Sequence, residues 1–170
     1  MRGGRNSRPQ GPPETLVLDV QKPHSESDDA VFPSDLEPGT TPEPVASDEA
    51  RRVATAIAAS GLDKKAAGVE VIDVTGKVDY AELLVLMTGR SDRHVHAIAK
   101  GVQEDLKRDH RVAPLSVEGM ASAQWVLLDF NDVVVHVFQP DTRTFYDIEG
   151  LWIDADRVAI PVPEREDASA

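Results

Sequence analysis

Glu82-Leu83-Leu84-Val85-Leu86-Met87-Thr88-Gly89-Arg90-Ser91-Asp92-Arg93-His94 changes character halfway along. Residues 82–87 are apolar on both faces, as a central strand requires. From Ser91, a residue type that caps helices, the apolar positions Val95, Ile98, Ala99, Val102 and Leu106 recur at helical spacing. A strand that runs into a capped helix is the unit of α/β folds. The helix N-terminal amides and polar groups at such a junction commonly host recognition or chemistry. Upstream, residues 69–74 read as a second strand, joined to the first through a turn at Gly76 short enough to demand antiparallel pairing. Before it, Ser47 or Asp48 caps a helix with the stripe Ala50, Val53, Ala54, Ile57 and Ala58, and Gly61 is placed to end it.

Downstream, the second helix is expected to end near Asp109 and His110, residues 111–117 to form a strand, and residues 118–120 to turn. Residues 124–129 and 133–138 make the clearest hairpin, with Asn131 in the turn able to take the left-handed conformation. A last short segment, 144–148, leads into Leu151 and Trp152. This order predicts an α/β fold: a single α/β sandwich domain with a mixed sheet of about five strands.

The composition bounds the rest. A chain of 170 residues, 41% hydrophobic, supports one ordinary core. Eight of the 12 prolines (Pro9, Pro12, Pro13, Pro23, Pro33, Pro38, Pro42, Pro44) precede residue 47 among Gly, Ser, Thr and acids, so residues 1–46 are expected to be a disordered, Pro-rich acidic tail. Its one apolar patch, Leu16-Val17-Leu18, reads as a chance cluster ahead of a docking motif. The domain is placed at residues 47–157 and a flexible C-terminal tail at 158–170. Lys plus Arg number 18 against 30 for Asp plus Glu, a net charge of −12, which disfavours attraction to DNA or anionic membranes and suits a basic protein partner. The absence of Cys excludes disulfides, Cys-ligated metals and thiol catalysis. No apolar run approaches a membrane span, and the acids Glu14, Asp19, Glu26, Asp28 and Asp29 are foreign to a transit peptide, so a cytoplasmic location is expected.

Several constellations have a chemical and a plain reading. Ser91, Asp132 and His136 follow the chain order of an α/β-hydrolase triad, but Arg93 stands where the nucleophile elbow needs a second Gly, and His136 lies inside a strand. Ser91 as an N-cap explains the residue fully. His94 and His96 point about 200° apart on a helix and cannot share one metal. Asp147 with Glu149, and Asp154 with Asp156, have the i, i+2 spacing that aligns two carboxylates on one strand face, as metal-dependent nucleotidyl transfer requires. No Gly-Ser pair precedes them to hold a triphosphate, and solvated surface charge is the plainer account. No catalytic group, cofactor or metal site is therefore expected. One face of the hairpin must cover the helices; the other carries candidates for a protein-binding patch, Trp125, Asp129, Asp132 and His136. Trp125 is open to two readings, interface anchor or core residue, which burial separates.

Residues 71–74, 88–95, 117–119, 125–129, 132–138 and the run Arg143-Thr144-Phe145-Tyr146-Asp147-Ile148-Glu149-Gly150-Leu151-Trp152 together resemble the ribosomal silencing factor S family, also called the Iojap family. The resemblance runs from about Ser47 to Asp156. It implies a nucleotidyltransferase-like fold without that fold's catalytic motif, and a non-enzymatic repressor of translation. Such a protein binds large-subunit ribosomal protein fourteen and keeps the ribosomal subunits apart under nutrient limitation. It also implies Trp125, Asp129, Phe130, Asp132 and His136 as docking residues, with Gly89, Ser91, Arg93 and His94 shaping the neighbouring sheet edge and helix start, and a homodimer as a state of the free protein. The chain departs from the family pattern with Asn131 for a usual Gly, Met87 for a common Cys, and Ala81-Glu82 for an Asp-Tyr type pair. The alternative function is a nucleotidyltransferase-like enzyme using carboxylate-bound divalent metal.

Overall fold

Ser47 accepts a hydrogen bond from the Ala50 N–H and starts helix α1 (Asp48–Asp63), whose buried stripe is the one its spacing predicts. The computed structural model describes residues 42–161; the Leu16-Val17-Leu18 patch and the chain end after 161 lie outside the described residues. After α1 come strands β1 (Ala67–Asp73) and β2 (Leu83–Thr88), helix α2 (Asp92–Asp105) and a π-helical turn at Leu106–His110. Strands β3 (Ser116–Glu118), β4 (Trp125–Asp129) and β5 (Val133–Phe138) follow, then the short helices α3 (Pro140–Tyr146) and α4 (Ile148–Leu151). The strands form one sheet in the order β1-β2-β5-β4-β3. β2 and β5 are parallel and every other pair is antiparallel, so the sheet is mixed and five-stranded, as expected.

Side-chain alternation divides the sheet into two faces. On one, Val71, Leu83, Val85, Met87, Val126, Leu128, Phe130, Val133, Val135 and Val137 pack against the stripes of α1 and α2. Each fully buried aliphatic side chain there contributes roughly 1.5–3 kcal/mol. A polar clasp joins the two helices: Ser60 Oγ donates to Asp105, Lys64 Nζ bonds the same carboxylate, and the Lys64 ammonium, with Ser60, holds Asp105 down to a pKa of about 2. The other face carries Ile72, Val74, Leu84, Leu86, Val134 and Phe138, against which Ile148 and Trp152 pack from the C-terminal segment.

The structure departs from the sequence reading in four places. The third strand is only Ser116–Glu118, because the chain after Leu106 closes α2 with a wide turn: Val112 N–H donates to Leu106 C=O and Arg111 adopts φ 58°. Gly61 lies within α1 and does not end it; Lys65 takes the positive φ, and Gly61 lacks a side chain because a Cβ would come within 2.7 Å of Met87 Sδ. Residues 144–148 are not extended: Pro140 at the first position starts helix α3, and Asp147 at φ 43° separates it from α4. Packing also reaches beyond residues 47–157. Ala46 is buried in the core, and residues 156–158 lie along the outer edge of β1, with Asp73 N–H donating to Asp156 C=O and Val158 N–H to Val71 C=O. Among the described residues β3 is thus the sheet edge left uncovered.

The β2–α2 junction depends on close approach. Gly89 N–H donates to Phe138 C=O at 2.8 Å, and a Cβ at Gly89 would sit 2.7 Å from the Val95 backbone nitrogen. Gly89→Ala is expected to lower stability by about 1–3 kcal/mol in urea unfolding, the usual cost of overpacking against something that cannot rotate away. A loss under about 0.5 kcal/mol, the range of an ordinary surface change, contradicts this account.

Candidate functional site

Strand β4 sends Val126 and Leu128 to the helices and turns Trp125, Leu127 and Asp129 the other way. In the antiparallel registers Trp125 faces Phe138 and Leu127 faces His136 on β5, while Leu127 faces Glu118 and Asp129 faces Ser116 on β3. Directly opposite residues share a sheet face. Ser116, Glu118, Trp125, Leu127, Asp129 and His136 therefore share one face of the sheet, exposed at Ser116 and Glu118 and closed over at His136.

Trp125 holds the centre. Its Nε1–H donates to His136 Nδ1 at 3.1 Å, and its ring lies 5.1 Å from Phe138 and 4.8 Å from Tyr146 between centroids. It is half-buried, so the sequence alternatives merge: one side of the indole is packed and the remainder is open. His136 is buried and stacked parallel to Phe138. Burial pushes its pKa down to about 4, and acceptance at Nδ1 leaves the proton of the neutral ring on Nε2. Gly119 follows Glu118 at φ 86°, and a Cβ there would fall 2.0 Å from the Trp125 carbonyl oxygen, so only glycine lets β3 run this close to β4.

The other expected residues are distributed less simply. Asp129 lies beside the patch, its Oδ1 accepting from the Asn131 N–H in the hairpin turn, where Asn131 takes φ 72°. Asp132 is exposed in the same turn. Phe130 is buried on the helix-covered face with Val112, Val126 and Leu128, and the structure does not bring it together with Trp125. Gly89, Ser91, Arg93 and His94 sit beyond the end of β2, where Ser91 Oγ accepts from the His94 N–H and Arg93 is exposed. His94 accepts from Arg90 N–H at Nδ1 and donates from Nε2 to Lys64 C=O at 2.7 Å, tying the start of α2 to the end of α1.

The catalytic arrangements weighed from sequence lose their geometry. Ser91 and Asp132 lie past opposite ends of the parallel pair β2 and β5, a strand length of about 20 Å. Asp147 and Glu149 do not line one strand face: Asp147 accepts from the Gly150 N–H, and Glu149 is paired with Arg143. No group of three or more His, Asp or Glu able to hold a metal occurs among the described residues.

Sequence reasoning missed Arg143 and Tyr146. The Arg143 guanidinium donates to Gly68 C=O at 2.7 Å, to Thr88 Oγ1 at 2.8 Å and to Glu149, so α3 is fastened across β1 and β2 with Tyr146 held over Trp125. The signal that could have placed them is Pro140, a helix-starting residue just upstream of the run 143–152.

A family described as "Ribosomal silencing factor during starvation" matches residues 47–170. The chain is similar to the ribosomal silencing factor of Bacillus subtilis, 39% identical over 98 residues that span 58% of this chain and 82% of that protein. It is also similar to that of Zymomonas mobilis, 34% identical over 102 residues, 60% of this chain and 76% of that one. A crystal structure of a protein from Chromobacterium violaceum superposes with a TM-score of 0.59 at 32% identity, covering 68% of this chain and 95% of that one.

The buried neutral imidazole has a measurable signature. A histidine depressed to about 4 when folded and ordinary at 6.5 when unfolded binds fewer protons in the folded state between those values. Its contribution is complete above pH 6.5 and is lost as pH falls towards 4. From pH 7 to pH 5 the loss is about 2 kcal/mol. His136→Gln, which keeps an acceptor for Trp125, is expected to remove that much of the pH dependence of urea unfolding; identical slopes for the two proteins contradict a buried neutral His136.

Proposed function

The chain belongs to the ribosomal silencing factor family, and from that membership we propose that it binds the large ribosomal subunit through large-subunit ribosomal protein fourteen, blocks joining of the small subunit and so represses translation under nutrient limitation. It acts in the cytoplasm as a steric regulator without catalysis. The observation that carries this reading is the open part of that face, where Trp125, held by His136, and Leu127 stand beside the Glu118 carboxylate, with Asp129 two residues beyond Leu127 on the same strand face. An aromatic anchor inside an acidic surround is the make-up of a hot spot for a basic protein. The net charge of −12 adds long-range attraction to such a partner and speeds encounter. No described helix is long and apolar enough to cross a membrane. The metal-dependent transferase reading loses its first carboxylate pair, since Asp147 accepts from the Gly150 N–H and Glu149 is held by Arg143.

Sucrose-gradient sedimentation of cell extract tests the reading. The protein is expected to travel with free large subunits, and a protein found only at the top of the gradient contradicts it. Trp125→Ala should weaken binding to purified large subunits by about 2 kcal/mol, roughly thirtyfold, as loss of a central anchor does. The packed side of the ring adds about 3 kcal/mol of lost folding stability, so binding is scored on the folded fraction. Asp132→Lys, an exposed change in the turn, should weaken binding with little effect on unfolding.

A further inference from the structure

Between β3 and β4 the open face carries a groove of about 240 Å³ lined by Glu118, Gly119, Trp125 and Leu127. Its floor is apolar, Leu127 and the free side of the indole. Its rim is the Glu118 carboxylate, directly across the strand pair from Leu127, where opposed Cβ atoms stand about 5 Å apart. Glu118 is exposed and has no ion-pair partner among the described residues, unlike Asp105, Asp109 or Glu149. A second carboxylate, Asp129, lies two residues further along β4 on the same face.

An apolar floor a few ångströms long that ends in an unpaired carboxylate fits a side chain with a hydrocarbon stem and a cationic head. We propose that this groove is the seat of one arginine side chain of the basic partner. Its methylenes lie on Leu127, its guanidinium stacks along the exposed part of Trp125, and its N–H groups pair with Glu118. Arginine fits better than lysine because the planar, weakly hydrated guanidinium can stack on an indole and meet a carboxylate with two hydrogen bonds together. The seat is set before binding: Trp125 is fixed by His136 and Tyr146, and Glu118 is carried beside it by Gly119, so little ordering is required of this chain. The uncovered edge of β3 leaves the groove open to an approaching chain. This rests on the reading of the open face as the docking surface for a basic protein and names the chemistry at its centre.

The test separates the two. The full chain is titrated with Nα-acetyl-arginine amide while the Trp125 indole N–H is followed by NMR, its signal distinguished from that of Trp152 with Trp125→Phe. The expected result is a saturable shift with the arginine amide, a weaker one with Nα-acetyl-lysine amide and none with the uncharged Nα-acetyl-citrulline amide. Glu118→Gln, at an exposed position whose change should leave unfolding unaltered, should abolish the shift and reduce large-subunit binding roughly tenfold. An equal response to citrulline, an equal response to lysine, or an undiminished response in Glu118→Gln overturns the arginine seat. If Glu118→Gln binds large subunits as well as the wild type and the arginine amide has no effect, the seat fails and the docking reading stands. If the arginine amide binds as expected but the wild type does not associate with large subunits, the seat stands and the docking reading fails.

Discussion

Two parallel strands cannot be joined by a tight turn, and the pairing of β2 with β5, Leu83 to Thr88 against Val133 to Phe138, is the constraint from which the rest of this molecule follows. The two strands are almost completely buried, so both faces are apolar but for His136 on β5, whose ring accepts a hydrogen bond from Trp125. The crossover between them has to rise over one face, which is where α2 goes, and it must return to the far side of β5, which is where β3 and β4 go. With α1 beside α2, that face is filled. The opposite face receives only what is left of the chain, and α3, α4 and Trp152 are too short to cover it. The open patch is therefore a product of topology before it is a product of side-chain chemistry.

The parts read correctly from sequence are those governed by local periodicity. The stripe behind Ser91, the stripe behind Ser47 and the alternation of 125–129 each hold enough repeats for the period to be unmistakable, and Asn131 announces its turn through its backbone preference. The misread parts are those where a tertiary contact sets the local conformation. Gly61 looks like a helix stop, yet what it satisfies is the bulk of Met87 arriving from β2. Residues 144–148 look extended because Phe145, Tyr146 and Ile148 favour strands, yet Pro140 opens a helix and Arg143 bonds two distant strands to secure it. Phe130 is placed beside Trp125 only by the family resemblance, and strand alternation puts it on the other side of the sheet.

The candidate site shows the same division. Trp125 and His136 lie eleven residues apart in sequence and on adjacent strands, so a hairpin reading could bring them near one another, but the direction of their hydrogen bond is visible only in the fold. Glu118 was read as a turn residue and becomes part of the site through the β3–β4 register. Tyr146 comes from a segment whose course depends on Arg143. The tryptophan that sequence singles out is thus held by neighbours recruited from β5 and α3 and flanked by an acid from β3.

The strap formed by residues 156–158 has a consequence for how this chain can assemble. An open sheet with two bare edges can add copies indefinitely, each new strand exposing another. Here, among the described residues, the Val71–Asp73 stretch of the outer edge of β1 is already occupied by the chain's own backbone, with Asp156 and Val158 using hydrogen-bonding positions that a neighbour would need. Among the described residues the edge left wholly open is β3, three residues long, and joining β3 to β3 consumes that edge on both copies at once. A two-fold β3-to-β3 contact closes on itself at a pair, and the edges it leaves at either end are β1 edges that the chain's own strap has shortened.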